Sequence, residues 1–458
     1  MLFKFSLIIS SLLIVQNTIS APMDWKGSFN FESNILSDVR RTNIECTPAP
    51  GSQCITPEEN NARFQAMTIK LNPNLIVNDA VTIKGELSTG SIRTSLVGSS
   101  TQETGTDGLS PYAQSSSSAL NINQIYAELY ADTALYRLGR FSHHFGTGAI
   151  INDGSSAGSH YYSGYEGVEA QLKLGKLSLI PMWAKLFTDQ SPNGKYDAYE
   201  SSLTALYDDP NSNMKFGLYY SIRESSSSVA PPYDSLNTTL IDVYFSKSWN
   251  WFSFELEVPM LTGDSGTTSL DSRAIIAQTR FDISSKWKLG LNGAHIGGDD
   301  SGTTSFEAMY LHPNYKLSRL MFKYNYHAMM DNTGGSGSIF DSSMVNTTYA
   351  QFYALYGSDD LIWKFAVLWA QANQVATTGS DFYNHDNNTT VAALADQSSD
   401  LGTELELSFD YHWNPNVVLG GYFAYHLVGD YYSFANDPAA DLGKQDVTGM
   451  GLNLSVNF

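Results

Sequence analysis

Apolar and polar residues alternate with period two through most of the chain. Val81, Ile83, Gly85 and Leu87 share one face of a segment whose other face carries Thr82, Lys84, Glu86 and Ser88. The same alternation runs through 167–174, 214–223, 252–258, 361–369 and 404–412. Successive side chains of an extended chain point to opposite sides, so each segment reads as a strand with one apolar and one polar face. The segments are roughly ten residues long, the length a tilted strand needs to cross a bilayer.

The connections separate a sandwich from a barrel. Asn72-Pro-Asn, Asp132-Thr-Ala, Gly175-Lys176, Asp209-Pro-Asn-Ser-Asn213, Asn250, Ser284-Ser-Lys, Ser358-Asp-Asp360 and Asn414-Pro-Asn416 read as tight turns. Between them lie long polar stretches at 90–118, 146–164, 225–235, 331–346 and 372–400. Short turns on one side and long loops on the other are the mark of a transmembrane barrel with its apolar face toward lipid. Six of the eight Trp residues, Trp25, Trp249, Trp251, Trp287, Trp363 and Trp413, fall at or beside the short-turn ends. An amphipathic ring prefers the membrane interface, so these residues predict an aromatic girdle there. The expected fold is all-β: a closed transmembrane antiparallel β-barrel of about 18 strands, within 16–20, with short periplasmic turns and long extracellular loops. An even count follows if both chain ends lie on the periplasmic side. Eighteen becomes 20 if 306–315 forms a separate strand before 320–326.

The chain ends do not disturb this picture. Lys4, the apolar run from Phe5 to Val15 and the small residues Thr18 and Ser20 have the order of a secretory signal peptide, expected at 1–20. One barrel domain is then expected over 21–458. The last strand alternates Met450, Leu452, Leu454, Val456 and Phe458 on one face. It resembles the C-terminal signal of bacterial outer-membrane proteins, which implies recognition by the barrel-assembly machinery. Integral placement in the outer membrane of a Gram-negative cell follows, with membrane lipid and lipopolysaccharide as partners.

Charge and cysteine content narrow the partners. Without Lys4, the remaining basic residues face 46 acidic ones, so nucleic acid is not an expected partner. No later stretch of 18 apolar residues offers a membrane helix. Cys46 and Cys54, the only cysteines, are expected to close a local disulfide in an exported chain. With no His nearby they do not form a zinc site, and neither a metal nor a cofactor is expected.

The densest chemistry lies between Leu135 and Gly154, with Arg137, Arg140, His143, His144 and Asp153 close together. The run from Gly139 to Gly154 carries Gly-Arg on a strand, then Phe-Gly-x-Gly, then Asn-Asp-Gly. In this it resembles large substrate-selective porins, of which the alginate-export family is one. The resemblance implies a lumen-facing Arg140 and an inward-folded constriction loop over 146–164. The chain departs from that family in its His143-His144 pair and its acidic balance, so a polyanion like alginate is not the expected solute. The expected constriction comprises Arg140, Asp153 and His144. The expected lumen lining is Lys84, Glu86, Glu128, Glu169, Lys173, Arg223, Glu255, Arg280, Lys364, Glu404 and Glu406. Strict alternation puts Arg137 and Arg140 on opposite faces, so a bulge or a snorkelling Arg137 is required.

No catalytic residue is assigned. Adjacent His residues on a strand point apart, and Asp-Ser-Gly-Thr-Thr-Ser occurs twice, at 264–269 and 300–305, which suits loop chemistry better than a serine nucleophile. The functional expectation is a porin for passive diffusion of small polar solutes and ions, weakly cation-preferring. The alternative is a substrate-specific channel for a sugar, organic acid or oligosaccharide; an outer-membrane enzyme or adhesin ranks below both. A homotrimer and a monomer both remain open.

Overall fold

The computed structural model describes residues 22–43, 60–90, 95–96, 120–188, 197–225, 235–330, 338–384, 389–437 and 442–458. The expected signal peptide, Cys46 and Cys54 lie outside these residues.

Eighteen long strands make one antiparallel sheet. They are β1 (Met23–Ser37), β2 (Ala62–Asn78), β3 (Val81–Thr89), β4 (Leu120–Tyr130), β5 (Ala134–Ser142), β6 (Gly164–Leu174), β7 (Leu177–Thr188), β8 (Asp197–Asp209) and β9 (Met214–Ser225). They continue as β10 (Leu236–Ser248), β11 (Phe252–Ser265), β12 (Thr268–Asp282), β13 (Trp287–Ile296), β14 (Thr347–Gly357), β15 (Leu361–Ala372), β16 (Asp400–Asn414), β17 (Val417–Val428) and β18 (Val447–Asn457). Two short segments, Ser95–Leu96 and Ser305–Phe306, attach to the same sheet.

The sheet closes because β1 pairs with β2 on one side and β18 on the other, from Ser28↔Asn457 to Ser37↔Thr448. Closure leaves no edge strand, which a lipid environment requires. The C-terminal Phe458 continues the ladder beyond β18, exchanging backbone hydrogen bonds of 2.7 and 3.0 Å with Gly27. Glycine is needed at that position: a Cβ on residue 27 would lie 2.6 Å from the Phe458 ring.

The alternation plays out as predicted. Ile83, Leu138, Val168, Phe365 and Leu407 are exposed on the outside, while Thr82, Glu86, Ser88, Glu128, Glu169 and Glu406 are buried toward the lumen. All six Trp residues of the expected girdle are exposed at the short-turn rim, from 40% at Trp363 to 68% at Trp413. Such a belt of exposed apolar and aromatic side chains is stable only against lipid.

Two expectations need correction. Asn72-Pro-Asn is not a turn. It lies inside β2, which runs on to Asn78 and turns at Asp79-Ala80; the β2–β3 ladder skips Asn72 and Pro73 between the pairs Leu71↔Leu87 and Asn74↔Lys84. Proline lacks an N–H for the ladder and is tolerated where the pairing is interrupted. Second, 306–315 and 320–326 are not wall strands. They belong to a single connection from Ile296 to Thr347, of which Leu311, Tyr315, Leu320, Met321, Phe322, Tyr324, Tyr326, Phe340 and Met344 are buried. The first Asp-Ser-Gly-Thr-Thr-Ser copy spans the tight β11–β12 hairpin at Gly266-Thr267.

Hydrophobic cores therefore sit within the lumen. Leu311, Tyr315, Met321, Phe322 and Met344 of the long connection pack on Ile276, Ile296, Tyr349 and Leu368 of the inner wall. Leu320, Tyr324, Tyr326 and Phe340 pack on Leu36, Tyr422, Ala424 and Val447.

Candidate functional site

Among the described residues, two connections reach into the barrel interior. Loop 3 joins β5 to β6 over 143–163, and loop 7 joins β13 to β14 over 297–346. Side chains of the inner wall hold both.

Loop 3 is gripped at three places. Lys70 of β2, 3% exposed, donates to the carbonyls of Gly154 and Ser156 at 2.9 and 2.6 Å. Glu257 of β11 accepts the N–H of Thr147 and, at 2.7 Å, its hydroxyl. Tyr162 reaches the Asn123 carbonyl of β4 at 3.0 Å. Gly146 has a φ of 59°, and a Cβ there would run into the Glu257 carboxylate. Only glycine lets the loop turn this close to the wall.

Loop 7 hangs on Glu404 of β16. That carboxylate, 2% exposed, accepts the backbone N–H groups of Arg319, Leu320 and Met321 at 2.6 to 3.2 Å. Arg41 completes the clamp by donating to the Met321 carbonyl at 2.9 Å, its guanidinium lying over the rings of Tyr326 and Tyr432. Arg319 then pairs with Glu406 at 3.0 Å and Lys323 with Glu32 at 3.7 Å.

The loops touch each other. His160 of loop 3 stacks on Phe340 of loop 7, Asn314 binds the Tyr161 backbone, and His312 donates its backbone N–H to the Ala149 carbonyl at 2.6 Å. Between them and the wall lies a 390 Å³ cavity lined by Glu32, His160, Lys316, Arg319, Lys323 and Asp410, among others. Burial and the nearby Lys323 push the Lys316 amino group down to about 7. Burial pushes the His160 imidazole down to about 4 against the pull of Glu32, so it is neutral at pH 7.

The residues singled out from sequence are distributed as follows. Lys84 and Arg137 both pair with Glu128, at 2.7 and 3.1 Å, and Arg137 reaches Glu169 at 3.4 Å. Glu86 accepts from Asn123 and Gln124, Arg223 pairs with Glu200, and Lys364 pairs with Glu406. Glu255, Arg280 and Lys173 share the inward register toward the short-turn end, Arg280 pairing with Asp282.

Arg140 departs from its expected place. Tyr136 and Leu138 point outward, Arg140 follows them, and it pairs with the exposed Glu166 opposite Ile125 on the outer face. Arg137 is the lumen-facing arginine, without any register shift between β4 and β5. His144 and Asp153 do come together within loop 3, at 3.8 Å, but Arg140 is not with them. His143 turns away from His144 to meet Glu169 at 3.1 Å. Among the described residues, no group of three His, Cys, Asp or Glu could hold a metal ion.

The sequence reading missed Glu32, Lys70, Lys316, Arg319 and Lys323. A signal for the last three existed: three cations within eight residues of a strongly acidic chain, in a stretch without period-two alternation.

No family model and no curated protein sequence matches the chain. Its fold is similar to solved Pseudomonas aeruginosa barrels. OccK9 (OpdG) superposes with a TM-score of 0.52 at 13% identity, over 95% of this chain and 99% of that one. OpdK, solved with vanillate, gives 0.50 at 11% identity, over 95% and 98%. OccK11 (OpdR) gives 0.50 at 9% identity, over 95% and 96%. The likeness is to porin-type barrels in general and does not single out the alginate-export type. With its lipid-facing belt and closed 18-strand sheet, the chain is an integral outer-membrane protein.

Proposed function

We propose that the protein is a passive, substrate-selective channel for small polar solutes that carry a carboxylate, with selection at the cavity between loops 3 and 7. The carrying observation is the cation set of loop 7 inside the lumen. Three of the wall carboxylates nearby are already engaged: Glu404 by three N–H groups, Glu406 by Arg319 and Lys364, Glu32 by Lys323, so that against the three cations of loop 7 the cavity lining adds the carboxylate of Asp410. Lys316 donates to the carbonyls of Phe322 and Ser342, and among the described residues it has no carboxylate within ion-pair distance. An anionic solute in the cavity supplies that missing charge. A ring of fixed charge at a narrowing is what sets selectivity in a pore.

The weak cation preference expected from composition belongs to the rival reading, a general porin. Whole-chain acidity supports it, yet on the inner wall Glu128, Glu169, Glu200 and Glu406 are each held in an ion pair. Reversal potentials in a salt gradient, with small carboxylates such as vanillate as blockers, separate the two readings. Anion preference and block are expected for the wild type, with affinity reduced on the order of tenfold in Arg319→Ala, the cost of one charge-assisted hydrogen bond. Clear cation preference without carboxylate block returns the protein to the general-porin reading.

The proposal includes export through a leader at 1–20, insertion by recognition of the aromatic-ended last strand, and lipopolysaccharide contact at the long-loop rim. It also includes a Cys46–Cys54 bond. Sedimentation in detergent decides between monomer and trimer.

A further inference from the structure

Asp242 of β10 and Glu257 of β11 are both fully buried on the inner wall. Asp242 sits opposite Pro259, so Glu257 lies one diagonal step away on the same face. The two carboxyl groups come within hydrogen-bonding reach of each other. Both Asp242 oxygens and Oε1 of Glu257 lack a hydrogen-bond partner of ordinary geometry. Only the second Glu257 oxygen is engaged, by the N–H and hydroxyl of Thr147 in loop 3.

Among the described residues, no Lys, Arg or His acts on either carboxyl group. Backbone N–H groups of Val243 and Ala149 are nearby, and the titratable neighbours are Glu255 of β11, Tyr244 of β10 and Tyr315 of loop 7. Two ionised carboxylates facing each other away from water repel strongly. A single proton between them turns the repulsion into a charge-assisted hydrogen bond.

We propose that Asp242 and Glu257 share one proton, and that Asp242 is a positioning residue: through that proton on Oε1 it keeps Glu257 turned so that its Oε2 holds Thr147 and pins loop 3. The inference rests on the reading of loop 3 as part of the passage. Raising the pH removes the proton to lumen water, the two charges separate, Glu257 swings off Thr147 and loop 3 loosens. Lowering the pH restores the pair.

The experiment is single-channel conductance of the full-length protein in planar bilayers, between about pH 5 and pH 10, with infrared difference spectra of the same samples. The wild type is expected to show a reversible rise in conductance and open-channel noise on the alkaline side. It should also show the carbonyl band of a neutral carboxylic acid at pH 7, lost over the same range. Asp242→Asn supplies a permanent donor to Glu257, so it keeps the neutral-pH conductance, loses the alkaline rise and lacks the band. Heat-modifiable migration verifies that the variant is folded. A conducting wild type with neither band nor alkaline rise overturns the proposal, as does a folded Asp242→Asn that keeps the rise. A wild type that does not conduct at all refutes the channel reading instead, and the infrared band alone then decides whether the proton is shared.

Discussion

His160 of loop 3 lies flat against Phe340 of loop 7, ring centroids 3.9 Å apart and planes 23° from parallel. The two longest inward excursions of the described chain, which start on different sides of the barrel, are thereby joined over the cavity. Imidazole stacks well on an aromatic ring when neutral, and burial keeps His160 neutral at pH 7.

Phe340→Ala is expected to uncouple the loops, raising open-channel noise and conductance while leaving the barrel's heat-modification temperature nearly unchanged. Acid should imitate the mutation. An undocked imidazole titrates near 6.5 and the docked one near 4, so proton uptake favours undocking progressively from about pH 6.5 downward. His160→Phe keeps the stack and removes the titration. Noise that stays constant from pH 7 to pH 4 in the wild type contradicts the assignment.

Glu404 is expected to be the least replaceable residue of the inner wall. Its loss leaves three backbone N–H groups of residues 319–321 unpaired inside the barrel, a cost on the order of 1–3 kcal/mol for each group that water does not reach. Glu404→Ala should therefore free loop 7, enlarge conductance and weaken carboxylate block, and proteolysis from the outside should reach 316–323. Protection equal to wild type counts against the anchor.

The two arginines of β5 are expected to behave oppositely. Arg140→Ala removes an exposed ion pair with Glu166 and a 3.2 Å hydrogen bond to the Ile122 carbonyl, both on the outer face, so conductance and selectivity should match wild type. Arg137→Ala strips the shared cation from the buried carboxylates of Glu128 and Glu169. It should lower the heat-modification temperature and shift selectivity toward cations. Bilayer recordings and gel migration of both variants check this pair.

Closure of the barrel should depend on Gly27. Gly27→Val places a branched side chain where the Phe458 ring packs, and the Lys70 carbonyl lies 2.7 Å from the new Cβ. Less heat-modifiable, folded protein is the expected outcome, and deletion of Phe458 should act in the same direction.

The wall was legible in the sequence because its determinants are local. Period-two alternation follows from backbone geometry, turns from a few residues such as Asn414-Pro-Asn416, and the girdle from Trp placement at strand ends. Even the side of Arg140 was readable, since Tyr136 and Leu138 set the even positions of β5 outward. The reversed assignment came from giving the glycine-rich motif more weight than the alternation.

What fills the barrel only the tertiary structure decided. Loop 7 has no period to read, and its apolar residues, from Leu311 to Phe322, look from sequence like further wall strands. Their partners lie far along the chain: Glu32 for Lys323, Arg41 for Met321, Glu404 for the 319–321 backbone. These pairs meet because β1 and β18 pair, close the sheet and bring the first and last described strands side by side around one lumen. Amphipathic strands are dictated residue by residue, whereas a site assembled from a loop and strands hundreds of residues apart exists only once the barrel has closed around it.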